Sequence, residues 1–352
     1  MTDIPLQQKI AEYIDPYLGI SLGEADVIRE VSGGRVVLEL GFPTARYADA
    51  LVAALRAHTD SPGLEVEIRN EMRPRATQRG VDPIPGVKNT LAIASGKGGV
   101  GKSTTTVNLA LALADEGARV GILDADIYGP SQPRMLGTPG KPETLDGKSI
   151  QPLTGHGIQC MSIGNLVDEE TPMIWRGPMA TGALEQLLRD TRWDNLDYLL
   201  IDLPPGTGDI QLTLCQKIPL TAALIVTTPQ DIALLDARRG LKMFEKVKVP
   251  VLGVVENMSV HVCSACGHAE HIFGEGGGAR MAADHEVPLL GSLPLDITVR
   301  EGTDTGRPSV VADPEGVASQ AYREIARRAS AQMSLLARNM SAGFPRIVVE
   351  NS

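Results

Sequence analysis

Aromatic residues are scarce. Two Trp, six Tyr and four Phe make up 3% of the 352 residues. The core must therefore be aliphatic and alanine-rich, and a base-stacking nucleic-acid surface is not expected. Basic residues are in deficit: 33 Lys and Arg against 43 Asp and Glu leave a formal net charge of −10. A non-specific duplex binder wants the opposite sign, so an anionic ligand has to be held by a local site. Four cysteines do not make a disulfide scaffold. They point to a reducing, cytoplasmic setting. No apolar run approaches the ~20 residues of a membrane span. The N-terminus lacks the basic region and apolar stretch of a signal peptide. Neither nucleic acid nor membrane is expected as a partner.

What is present is ordinary globular material, 43% hydrophobic and 22% charged. At roughly 150 residues per domain the length suggests about two domains. Residues 1–70 read as a small α+β unit. Leu6, Ile10, Ile14 and Tyr17 share a helical face. A hairpin turned by Ser32-Gly33-Gly34 follows. Tyr47, Ala50, Leu51, Ala54 and Leu55 mark a second helix, and Leu64, Val66 and Ile68 alternate along a half-buried strand. Residues 71–88 hold three prolines and two glycines with no apolar period, as a linker does. Residues 89–352 form the second unit. Apolar β-rich runs recur at Thr90–Ser95, Val120–Asp124, Tyr198–Asp202, Ala222–Thr228, Val251–Glu256 and Leu289–Leu293, several of them separated by helical segments. That pattern predicts an α/β fold with a mostly parallel sheet covered on both faces. A last helix is expected over Pro314–Arg338.

The strongest motif is Gly96-Lys97-Gly98-Gly99-Val100-Gly101-Lys102-Ser103, which fits the P-loop pattern G-x-x-x-x-G-K-S between a strand and a helix. The glycines let backbone N–H groups converge on phosphate oxygens, and the helix N-terminus adds partial positive charge. Lys102 is expected on the β- and γ-phosphates of ATP, and the Ser103 hydroxyl on Mg²⁺. Thr104 stands next to them. Two acidic motifs end later strands: Leu123-Asp124-Ala125-Asp126, and Asp202-Leu203-Pro204-Pro205-Gly206-Thr207-Gly208-Asp209. Such an acid suits a Walker B role toward Mg²⁺, directly or through water.

The extra Lys97 in GKGGVGKS resembles the deviant Walker A ATPases, the group of MinD, ParA, ArsA and nitrogenase iron protein. Together with LDADIYGPS, MIWRGPM, DLPPGTGD, VENMS, CSACGH and PLDITVREGTDTG, it resembles the Mrp/ApbC iron–sulfur cluster carrier ATPases over about Asn89–Arg338. The N-terminal unit is similar to the small iron–sulfur assembly domain fused to that family in bacteria. The resemblance implies a P-loop NTPase fold and a homodimer in which Lys97 reaches the partner's nucleotide. It also implies that Asp126 orients the attacking water, that Asp202 serves Mg²⁺ and that Asn257 meets the adenine. Some relatives carry a reactive cysteine in the N-terminal domain. Residues 1–88 here contain none, which leaves docking as that unit's expected role. Trp175-Arg176-Gly177-Pro178 also recurs in the family, without a physical role.

Cys263-Ser264-Ala265-Cys266-Gly267-His268 lies in a polar loop after Asn257. Two thiols at this spacing can grip one soft metal. With His268 and His271 they permit a Cys2His2 zinc site. A redox dithiol and two inert thiols are the other readings. A complete iron–sulfur cluster usually takes four thiolates, and Cys160 and Cys215 lie in apolar segments. Two chains each giving Cys263 and Cys266 supply four thiolates to one 4Fe–4S cluster, in agreement with the family's dimer.

The expected function is thus an ATP-hydrolysing carrier. It binds a cluster between protomers, takes it from an assembly scaffold and passes it to apo iron–sulfur proteins. The alternative is a MinD- or ParA-like positioning ATPase with a structural zinc site, its last helix carrying Arg323, Arg327, Arg328 and Arg338.

Overall fold

A computed structural model of the chain describes residues 5–337 apart from Arg79, Leu145 and 167–176. Trp175, Arg176 and Arg338 lie outside the described residues.

The first unit runs α1 (Leu6–Glu12), β1 (Ile28–Ser32), β2 (Arg35–Leu40), α2 (Ala48–His58) and β3 (Glu65–Asn70). β1 and β2 form the expected hairpin, closed by Gly33 and Gly34 at φ 55° and 84°. β3 joins β2 in parallel. The first helix is shorter than its apolar period suggests. It ends at Glu12, and Tyr13 is already extended. Pro16 disfavours helical backbone at Asp15 before it. Ile14 is consequently 65% exposed rather than in the core, whereas Ile10, Leu51 and Leu55 are fully buried.

The second unit begins with β4 (Val87–Ala94), two residues inside the expected linker, and α3 (Lys102–Asp115), β5 (Val120–Asp124) and α4 (Gln132–Met135) follow. A short hairpin of β6 (Leu153–Gly155) and β7 (Ile158–Ser162), absent from the sequence reading, comes next. Then come α5 (Gly177–Asp190), β8 (Leu196–Asp202), α6 (Asp209–Lys217), β9 (Ala222–Thr227), α7 (Asp231–Lys246) and β10 (Val251–Glu256). The chain finishes with the ribbon β11 (His261–Val262) and β12 (Ala269–Glu270), then α8 (Gly277–Asp284), β13 (Leu289–Ser292), α9 (Ile297–Asp304), α10 (Ser309–Ala312) and α11 (Val317–Ser334).

Eight strands form one sheet in the order β13-β10-β9-β4-β8-β5-β7-β6, parallel except for β6. Alternate residues of β4 face opposite layers. Leu91 and Ile93 pack with Val107, Leu111, Tyr322 and Ile325 of α3 and α11. Ala92 and Ala94 share the other core with Leu184 of α5, Leu214 of α6 and Leu241 of α7. The sheet is thus covered by helices on both faces, which is why its strands are nearly continuous apolar runs.

The two units meet along α11. Ala331 belongs to the apolar core of the first unit. The Gln332 amide donates to the carbonyls of Tyr17 and Leu18. The Arg327 guanidinium lies over the rings of Tyr17 and Tyr47 at 5.6 and 5.7 Å and pairs with buried Glu116 at 2.6 Å. Arg323 pairs with Asp115 at 3.1 Å. Two of the arginines of the last helix are therefore bound internally rather than displayed to a membrane. No described helix is long and apolar enough to cross one.

Candidate functional site

In open parallel sheets ligands gather beyond the carboxyl ends of the strands. Here the loops after β4, β5, β8 and β10 converge there. The loop after β4 is the P-loop. Gly99 and Gly101 have φ of 82° and 83°, a left-handed backbone that favours glycine. A Cβ on Gly96 would run into the Asp236 carbonyl of α7. A Cβ on Gly101 would strike the Asn257 amide. That amide donates to the Val100 carbonyl at 2.9 Å. Asn257, set just past β10, therefore braces the P-loop from outside. Thr105 closes the first turn of α3 by bonding the Gly101 carbonyl. The free N–H groups of this 14-residue helix open toward the loop.

Lys102, Asp126 and Asp202 come together. The Lys102 ammonium lies 2.6 Å from Asp202 Oδ1, 3.6 Å from Asp126 Oδ2 and 3.1 Å from the Ser103 hydroxyl. Asp202 is wholly buried, and its carboxylate accepts from three side chains: Lys102, Thr106 at 3.1 Å and Gln132 at 2.9 Å. Burial raises the Asp126 pKa above its ordinary value against the opposing pull of Lys102. Lys97 is exposed and makes no ion pair with a described residue, while its carbonyl accepts from Ser95. Ser103 and Thr104 are half-buried at the start of α3.

Asp124 is the residue that sequence reasoning left without a role. It is wholly buried and accepts from the backbone N–H groups of Asp126, Ser131 and Gln132 and from the Ser162 hydroxyl. Burial first, and the charge of Asp202 second, push it up to about 7. The D-x-D spacing after β5 was the available signal. Gln132 carried none.

The oxygen donors Ser103, Asp126 and Asp202 are hard ligands of the kind Mg²⁺ takes. No cluster of three or more His, Cys, Asp or Glu arranged to hold a metal occurs among the described residues. Beside these donors, the buried oxygens Gln132 Oε1 and Ser131 Oγ lack hydrogen-bond partners. The polar set thus has acceptor capacity for a hydrated cation.

Cys263 and Cys266 sit at the tip of the β11–β12 ribbon, six and nine residues past Asn257. The Cys263 N–H donates to the His268 carbonyl and the Gly267 N–H to the Cys263 carbonyl, with Gly267 at φ 72°. This tight turn aims the N–H groups of Ala265 and Cys266 at the Cys263 sulfur and lowers its pKa, the Ala265 N–H contributing most. Cys263 is half-buried and Cys266 exposed. Backbone donors that favour a thiolate at Cys263 are of the kind that suit a thiol to a thiophilic metal. His271 bonds the Ser259 carbonyl through Nδ1. The Cys2His2 zinc arrangement is not assembled among the described residues. Cys160 and Cys215 are fully buried, and burial raises both thiols, Cys215 to about 12.

A family model described as ParA, the NUBPL iron-transfer P-loop NTPases, matches residues 86–330. An iron–sulfur cluster carrier protein of Pseudomonas fragi is 58% identical over 264 residues, 74% of this chain and 92% of its own. One of Haemophilus influenzae is 50% identical over 337 residues, 93% of this chain and 91% of its own. Among solved structures, a nucleotide-binding protein of Archaeoglobus fulgidus in complex with ADP is 38% identical. It matches 66% of this chain and 90% of its own with a TM-score of 0.57. A family match over residues 86–330 and relatives at 58% and 50% identity carry the same conclusion as the P-loop geometry: the chain belongs to the NUBPL-type iron-transfer P-loop NTPases of the ParA group.

Proposed function

We propose that the protein is an ATP-hydrolysing iron–sulfur cluster carrier of the cytoplasm. Two protomers hold a 4Fe–4S cluster as cargo between their Cys263 and Cys266 pairs, receive it from an assembly scaffold and pass it to apo-proteins. The observation that carries this proposal is the continuity of one loop. Asn257 bonds the P-loop backbone, and the same segment reaches the thiolate turn at Cys263. A change in the P-loop is transmitted to the cysteine ribbon through a few residues. The stoichiometry agrees, since each chain offers two accessible thiols and a cubane takes four. The relatives named as cluster carriers and the ADP-bound neighbour support it further.

In this scheme the P-loop N–H groups and Lys102 bind the nucleotide phosphates. Lys97 acts on the partner's nucleotide, and Asn257 stands next to the base. Asp126 orients the attacking water. Ser103 and Asp202 would hold Mg²⁺, and the Asp202 oxygens also serve three side-chain donors. The cation supplies charge neutralisation of the phosphates when bound.

Anaerobic reconstitution with iron and sulfide tests the proposal. Close to four irons per dimer, with the absorption of a cubane and transfer to an apo-acceptor, is the expected result. A protein that binds no iron and co-sediments with vesicles or DNA in an ATP-dependent manner would instead be a positioning ATPase.

A further inference from the structure

Gln132 has no place in the motif reading, yet it occupies the centre of the site. Its side chain is wholly buried. The carboxamide nitrogen donates to two acceptors, the Ser103 carbonyl at 3.0 Å and Asp202 Oδ2 at 2.9 Å. Both partners accept only, so the orientation of the amide is fixed by its surroundings. Its oxygen is then left as a buried acceptor, and no described group donates to it. A buried carbonyl oxygen without a donor is unfavourable. The backbone N–H of Gln132 bonds Asp124 Oδ2, which ties the residue to the loop after β5. One residue therefore joins the Ser103 backbone and the Asp202 carboxylate through its side chain, and Asp124 through its own N–H.

The chemistry of that oxygen selects its partner. It accepts only and so needs a donor, which the unprotonated oxygen of an anion cannot supply. A water bound to a divalent cation is a strong donor. The amide nitrogen meanwhile holds the second Asp202 oxygen in a fixed direction. We propose that Gln132 is a positioning residue for the divalent cation. Its nitrogen orients Asp202, and its oxygen accepts a hydrogen bond from the cation's water shell. This rests on the Mg²⁺–nucleotide site proposed above. Groups that orient metal ligands from outside typically change metal affinity about 10–100-fold when removed.

The test is Gln132→Leu, which keeps the volume and removes both polar ends. ADP binding to the full-length protein is followed by a fluorescent ADP analogue as a function of Mg²⁺ concentration, and separately in EDTA. The expected result is a Mg²⁺ midpoint raised about tenfold or more, with metal-free ADP affinity unchanged. Gln132→Met serves the same comparison should the Leu variant lose its cooperative thermal transition. An unchanged Mg²⁺ midpoint in a folded variant overturns the role of Gln132 alone. Equal losses with Mg²⁺ and in EDTA overturn it too, by showing a packing role. Wild-type ADP binding that is indifferent to Mg²⁺ overturns the cation site itself.

Discussion

The Lys102 ammonium and the Asp202 carboxylate form a buried ion pair at 2.6 Å, joining the first residue of α3 to the last of β8. The lysine expected to hold phosphate thus also neutralises the acid expected to serve the cation. Lys102→Ala should reduce ATP hydrolysis by at least about 100-fold. It should also lower the melting temperature without nucleotide, since an uncompensated buried charge costs about 3–5 kcal/mol. The double variant Lys102→Ala/Asp202→Asn should recover part of that loss while staying inactive. Calorimetry and a phosphate-release assay read both effects. An unaltered melting temperature in the single variant would contradict the pairing.

Gly101→Ala should abolish nucleotide binding. The left-handed backbone alone disfavours alanine by about 1–2 kcal/mol, and the new methyl group collides with the Asn257 amide. Gly99→Ala at nearly the same φ meets no atom within 4 Å, so it should be the milder change. Titration with labelled ADP compares the two, and equal losses would show that the Asn257 contact is unimportant.

The thiols divide into two classes that alkylation can count. Cys263 and Cys266 should react with iodoacetamide in the native protein. Cys160 and Cys215 should react only after unfolding, because burial excludes the reagent and raises their pKa values. Cys263→Ala or Cys266→Ala should remove cluster binding and leave nucleotide binding, since under the proposed sharing each change takes two of four thiolates from a dimer. Iron retained after loss of both cysteines would defeat the shared cluster.

Lys97→Ala should depress hydrolysis more than nucleotide affinity, because the side chain is exposed and makes no ion pair among the described residues. Mixed dimers of Lys97→Ala and Asp126→Asn protomers should regain activity if the lysine acts across the dimer. Verified mixed dimers with no regain would place it in cis.

Much of this site was legible because its parts are contiguous in sequence. The P-loop is a run of eight residues whose strand and helix carry their own apolar periods, and Val120–Asp124 and Val251–Glu256 were read to the residue. The β6–β7 hairpin was not, since β6 is three residues long and too short to show alternation. Ile14 was misplaced because a helical period continues on paper past the point where Asp15-Pro16 ends the helix. Gln132 stayed invisible for a different reason. Its partners Ser103 and Asp202 are 29 and 70 residues away, and only the folded sheet brings them together.

The pairing of Arg327 with Glu116 offers a last test in the scaffold. Arg327→Ala leaves Glu116, 1% exposed, with only the Arg46 backbone N–H among the described residues, and should destabilise by about 3 kcal/mol. Arg327→Met with Glu116→Gln should be better tolerated than the single change. Chemical denaturation separates them.

The helix α3 begins at Lys102 and ends at Asp115. At 1.5 Å per residue it is a strut of about 21 Å. One end forms the phosphate loop. The other presents Asp115 and Glu116 to a clamp of Arg46, Arg323 and Arg327, the first of which comes from the N-terminal unit. Cutting that unit away does more than trim an appendage. It removes Arg46 and both tyrosine rings from beneath Arg327, so the far anchor of the strut that carries the P-loop lysine is loosened at its base.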